Sequence, residues 1–151
     1  METTESENRG FTLMEVFIVV IVLCITASVV VPQFSRASQQ ARLSELLSAL
    51  QDVRSQIELY RIQHEDRLPG QAQKGGPVDP ARFVQDLTQQ GADGLGPYLK
   101  RIPRNTFNGL DTIAFVSDAE ARPDDTMNTG WWFNAATGEF RANDCAMNSQ
   151  Y

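Results

Sequence analysis

From Phe11 to Val31 the chain is apolar almost without break, and one carboxylate, Glu15, stands near the start with no second charged residue before Arg36. At about 1.5 Å per residue a helix over residues 11–31 spans roughly 31 Å, the thickness of a hydrocarbon core. The pattern therefore predicts a membrane-spanning helix with Glu15 about one turn inside it. A lone acid at mid-bilayer costs roughly 2.5–3.5 kcal/mol on insertion scales, so this one needs a partner or a purpose. Pro32 removes a backbone hydrogen bond and crowds the preceding turn, which predicts a bend at Val29 to Pro32. A bend is expected rather than a stop because helical periodicity resumes beyond it. Leu43, Leu46, Leu50, Val53, Ile57 and Tyr60 recur at alternating helical spacings and share one face. Arg42, Glu45, Asp52, Arg54, Glu58 and Arg61 occupy mainly the rest of the cylinder. The result is one long helix, Thr12 to about Glu65, apolar all round in its first half and amphipathic in its second.

Pro69-Gly70 and the loop composition Lys74-Gly75-Gly76-Pro77 end that helix near Arg67. Asp79 reads as an N-cap with Pro80 at the first helical position, opening a short helix through about Gln90 that buries Phe83, Val84 and Leu87. The glycine-rich stretch Gly91 to Pro97 closes it. Thr112 to Val116 is β-branched and aromatic, and Trp131-Trp132-Phe133 and Glu139-Phe140-Arg141 flank Asn134 to Gly138 as a hairpin. The fold class expected is α+β, the amphipathic half of the long helix packing on a small antiparallel sheet. The Leu43 to Tyr60 stripe is the only long apolar face available to cover that sheet. Trp131 and Trp132 point to opposite faces of their strand, one into the core and the other free for a subunit contact.

Composition narrows this picture. The chain has 151 residues, enough for one small domain beyond the span and no second independent core. A formal charge of −6, without clustered Lys and Arg, gives no reason to expect nucleic acid. Cys24 lies in the apolar run and Cys145 near the C-terminus, so an intrachain disulfide would pull one segment out of its solvent. The apolar run is too long for a secretory signal and no small-x-small site follows it, so it anchors the chain. His64, the single histidine, sits at a polar helix end and reads as a surface residue. No nucleophile–base pair, zinc spacing or phosphate loop is visible, and no enzyme is expected.

Gly10-Phe11-Thr12-Leu13-Met14-Glu15, the apolar run and Pro32 together resemble the N-terminal signature of type IV pilins and type II secretion pseudopilins. Downstream, Leu59-Tyr60-Arg61 through Leu68-Pro69 looks like the helix end of the G-type major pseudopilin, and Tyr98 to Pro103 is similar to that family's approach to its sheet. From Asn105 the likeness fades: Asn105-Thr106-Phe107-Asn108-Gly109 stands where the family has Asp-Pro-Trp-Gly-Asn. The absence of a C-terminal cysteine pair tilts the reading toward a pseudopilin rather than a true pilin.

The resemblance implies a pilin-like arrangement: a leader over 1–10, a transmembrane and filament-core helix over 11–32, its amphipathic continuation over 33–67, and loops, short helix and sheet over 68–151. A membrane-embedded prepilin peptidase would cleave between Gly10 and Phe11 and methylate Phe11. Gly10 suits it because the scissile bond needs an extended backbone with nothing bulky before it. The implied chain is single-pass in the inner membrane with its C-terminal domain in the periplasm. It would polymerise with other pseudopilins on the inner-membrane secretion platform, as a structural subunit supporting export of folded proteins. Glu15 would pair with a neighbour's new N-terminal amine, and Pro32 would let the helix bend or melt locally on leaving the bilayer. G-type members bind calcium in a loop between late strands; Ser117 to Asp125 stands at that place, with Asp118, Asp124 and Asp125 as candidate ligands, and a solvated acidic loop is the other reading. A type IV pilin for adhesion, motility or DNA uptake, and an anchored binding domain that never assembles, are the competing functions.

Overall fold

The computed structural model describes residues 10–123 and 128–144, apart from the side chains of 29–36. Residues 1–9 of the leader, Asp124, Asp125 and Cys145 therefore lie outside the described residues, while α1 runs as one helix through Val29 to Pro32, where a bend was expected. Two compact units are present, residues 1–40 and 41–151, and a single helix, α1 (Leu13–Gln63), contributes to both.

In the first unit the apolar side chains of α1 from Leu13 to Ile25 are exposed around the whole cylinder. Among the described residues none covers them. Among the described residues no helix is long and apolar enough to cross a membrane. The described side chains of the apolar run stop at Ser28, about 22 Å from Leu13 at the helical rise, while the span read from the sequence extends to Val31.

The second unit is α+β. On α1 the expected stripe is buried at Leu46, Leu50, Val53, Ile57 and Tyr60, with Leu43 packed at its margin. The helix ends at Gln63, two residues before the end expected from the sequence. Glu65 and Asp66 turn left-handed, with φ of 57° and 62°, and the Asp66 N–H reaches back to the Arg61 carbonyl at 2.8 Å. Aspartate tolerates that conformation better than most side chains, and glutamate does not. Asp66 is held there by Lys74 at 2.8 Å and by a hydrogen-bonded ion pair with Arg61, which together keep its carboxyl below the usual range, Lys74 contributing most.

The short helix α2 (Pro80–Thr88) starts as predicted, with Asp79 Oδ1 accepting the N–H of Ala81 at 2.9 Å and of Arg82 at 3.3 Å. Phe83 and Leu87 are buried, but Val84 is 37% exposed and lies off the core face. Three strands follow, β1 (Ile113–Val116), β2 (Trp131–Asn134) and β3 (Phe140–Ala142), in the order β1-β2-β3. The hairpin forms in the expected place, with Trp131 opposite Ala142 and Phe133 opposite Phe140. The expectation of an antiparallel sheet is corrected at its other seam. There β1 and β2 run parallel, Ile113 beside Trp131 and Val116 beside Asn134. Residue pattern identifies strands but not their direction, and the connection from 117 to 130 has the length a parallel crossover needs.

One face of this sheet joins the α1 stripe and α2 in a single core. Phe83 meets Phe133 at 4.6 Å and Phe115 at 5.2 Å between ring centroids, and Trp131 stacks on Phe140 at 5.4 Å. Trp132 takes the opposite face, as predicted, yet only 1% of it is exposed. A free Trp132 available for subunit contact is thus excluded by its burial. Asn105 ties the loop before β1 to the strands behind it. Its Nδ2 donates to the Gly130 carbonyl at 2.8 Å and to Asp144 Oδ1 at 3.0 Å, and its Oδ1 accepts from Phe107 N–H at 2.9 Å. Gly130 is required at that junction, because a Cβ there would collide with the Leu110 carbonyl.

Candidate functional site

The N-terminal segment carries the residues singled out by the sequence. Gly10 is exposed, with open space where a Cβ would stand, and Phe11 is 81% exposed. Thr12 caps α1: its Oγ1 accepts the Glu15 N–H at 3.2 Å and its carbonyl accepts the N–H groups of Glu15 and Val16 at 3.1 and 3.2 Å. Glu15 therefore occupies the third position of the first turn, where the positive end of the helix dipole favours a carboxylate. The Thr-x-x-Glu spacing is a capping-box signal that the hydropathy pattern had overshadowed. Farther along, Thr26 donates its hydroxyl to the carbonyls of Val22 and Leu23, each at 3.0 Å, and Ser28 to Ile25 at 2.7 Å. These polar side chains satisfy themselves on their own helix, which suits an apolar environment. Cys24 is a free, exposed thiol. Pro32 falls within α1, its side chain outside the description.

Of the three candidate calcium ligands, Asp118 is described. Its Oδ1 accepts the Glu120 N–H at 3.0 Å and its carbonyl accepts Asn134 Nδ2 at 2.8 Å, so it closes an Asx turn tied to β2. Calcium takes six to eight oxygens, and the other two candidates, Asp124 and Asp125, lie outside the described residues. Among the described residues no group of three His, Cys, Asp or Glu could hold a metal.

A second cluster, at the end of α1, was not found from the sequence. Tyr60 and His64 stack with ring centroids 3.8 Å apart, and Tyr98 meets Tyr60 edge-on at 5.4 Å. His64 Nδ1 lies 2.9 Å from the Tyr60 carbonyl oxygen and Nε2 lies 3.1 Å from Asp93 Oδ2, so the expected surface histidine is half-buried. Tyr60 donates to Asp86 Oδ2 at 3.1 Å, the oxygen that also accepts the Gly70 N–H at 2.8 Å. Burial, and then the charge of Asp86, push the Tyr60 hydroxyl up to about 12. The N–H of Leu95, at 3.1 Å, holds the Asp93 carboxyl below its ordinary range. Every carboxylate in this cleft already has protein donors, so the cluster fastens the α1 terminus to α2 and to the Gly91–Tyr98 loop. The spacing of Tyr60 and His64 by one helical turn was its only sequence signal.

No family model and no solved structure matches the chain. Among curated proteins, it is similar to the type II secretion system core protein G of Dickeya chrysanthemi, 28% identical over 138 residues that cover 85% of this chain and 88% of that protein. The protein of the same name from Aeromonas hydrophila is 25% identical over 138 residues, covering 80% of this chain and 90% of its own. That from Pectobacterium carotovorum subsp. carotovorum is 29% identical over 101 residues, or 66% and 62% of the two chains. The likeness thus continues past the N-terminal signature and the fading point at Asn105, and over most of its length the chain is similar to core proteins G of type II secretion systems.

Proposed function

We propose that this protein is a structural subunit of a type II secretion pseudopilus. The observation that carries the reading is the first half of α1, an exposed apolar cylinder whose one carboxylate, Glu15, stands in its first turn. Such a surface has no stable place in water and suits first a bilayer and then a bundle of identical helices. In this reading residues 11–32 anchor the chain in the inner membrane and the C-terminal domain stands in the periplasm. Prepilin peptidase removes residues 1–10 and methylates Phe11. Cleavage leaves a cationic amine one residue before the Thr12 cap, where the helix dipole opposes it and a carboxylate is needed. Glu15 of an incoming subunit supplies that carboxylate to its neighbour. At an effective dielectric near 20 a contact of 4 Å is worth about 4 kcal/mol before desolvation, enough to bias axial register. Pro32 gives the helix its point of bending as it leaves the bilayer. The names of the relatives, core proteins of type II secretion, support the same reading.

Deleting the gene is expected to abolish secretion of folded exoproteins, with recovery on supplying the intact chain. Secretion that continues unchanged, with loss of a surface fibre instead, would move the protein to the type IV pili.

A further inference from the structure

The two edges of the sheet differ. On β3 the outward carbonyl of Phe140 is capped by Arg54 Nε at 2.8 Å, so a side chain of α1 protects that edge. On β1 the bonds to β2 use the alternate residues: Thr112 O accepts Trp131 N–H at 3.0 Å and Val116 O accepts Ala135 N–H at 2.7 Å. In a parallel ladder this turns the N–H and C=O of Ile113 and Phe115 away from β2. Neither has a hydrogen-bond partner among the described residues beyond that edge. The strand itself, Ile-Ala-Phe-Val, has no charge, proline or bulge to discourage pairing, the devices by which edge strands are ordinarily protected.

Beside this edge runs a groove of about 620 Å³ between β1 and α2. Ile102, Ile113 and Phe115 line it, and Val84, the α2 residue found off the core, stands in its wall. A strand added next to β1 would place alternate side chains on the α2 side of the sheet, and those positions meet Val84. Lys100 and Arg101 also line the groove; both are exposed, and neither has an ion-pair partner among the described residues. Among the described residues that line the groove the one acid, Asp111, is engaged by Arg104 at 3.9 Å. The unspent charge is positive in a chain whose net charge is −6.

We infer that the β1 edge is a docking site for an extended segment of a partner protein, which adds as a strand with apolar side chains at alternate positions and a carboxylate meeting Lys100 and Arg101. Main-chain bonds to Ile113 and Phe115 supply affinity, Val84 selects an apolar side chain, and the two cations select the acid and its direction. The site is built wholly from residues of the second unit and does not rest on the polymerisation proposed for the N-terminal segment.

The test uses the full chain in detergent micelles and a fluorescent, end-capped peptide of about six residues that alternates valine and threonine and ends in glutamate, matched to an ordinary strand length. Anisotropy should show saturable binding. Methylating the peptide's backbone nitrogens at alternate positions should weaken it at least about tenfold on the unaltered protein, and so should Val84→Asp or paired Lys100→Glu and Arg101→Glu on the unaltered peptide. Absence of binding overturns the proposal, as does equal binding of methylated and unmethylated peptides. A third result also overturns it: self-association of the chain that Val84→Asp abolishes and the peptide does not compete for would make the occupant a second copy.

Discussion

Replacing Tyr60 by phenylalanine removes one oxygen and keeps the ring that stacks on His64. What is lost is the 3.1 Å bond to Asp86, whose Oδ2 retains the Gly70 N–H at 2.8 Å and Arg82 at 3.8 Å. A hydrogen bond to an ionised group contributes about 1.5–3 kcal/mol, and with the other donors left in place a loss of about 1–2 kcal/mol is expected at neutral pH. The pH dependence is more specific. Because the folded chain raises the Tyr60 hydroxyl from 10.0 to about 12, it holds that proton more tightly than the unfolded chain does. The resulting stabilisation is complete below pH 10 and is lost as pH rises toward 12. A rise of that size corresponds to about 2.7 kcal/mol by linkage, which solvent screening around the hydroxyl reduces to about 1 kcal/mol. Urea unfolding of both proteins in detergent, followed by the fluorescence of the buried Trp131 and Trp132, measures the gap at each pH. It should narrow as pH rises from 10 to 12. A gap that stays constant across that range would refute the assignment of the shift to Tyr60.

Three further outcomes are expected. Glu15→Val should be inserted and cleaved yet lose methylation or filament incorporation; normal filaments from that variant, seen by cross-linking of membrane fractions, would sink the charge-pairing account. Asn105→Ala removes three hydrogen bonds, those to the Phe107 N–H, to the Gly130 carbonyl, which keeps the Asn143 N–H, and to Asp144, and should cost roughly 1–3 kcal/mol by urea unfolding, whereas a neutral result would mean that the loop is held by other contacts. Chelating calcium decides between the two readings of the Ser117 to Asp125 loop: a solvated acidic loop leaves the thermal midpoint unchanged, and a fall of several degrees would establish a calcium site.

How far the sequence could be read depended on whether a feature was local. The α1 stripe and the Asp79–Pro80 start of α2 are written in spacing and capping chemistry, and both appear where expected. The end of α1 came earlier because Asp66 is held left-handed by Lys74 and Arg61, a tertiary arrangement that proline and glycine counts do not reveal. Strand direction at the β1–β2 seam was likewise illegible, since the same residues pair either way. Val84 was assigned to the core because it neighbours Phe83, and α2 is too short for its apolar face to be fixed by periodicity. His64 looked solvent-facing because its partner Asp93 is 29 residues away. Of the candidate site, Gly10, Phe11 and Glu15 were legible as a motif, while the Thr12 cap that seats Glu15 needed coordinates.

The central claim is that this chain becomes a filament subunit only after its leader is removed. Intact-protein mass spectrometry of the membrane fraction tests it most directly. The account predicts a mature chain that begins at Phe11 and carries one N-terminal methyl group; a chain that retains residues 1–10 and bears no methyl would contradict it.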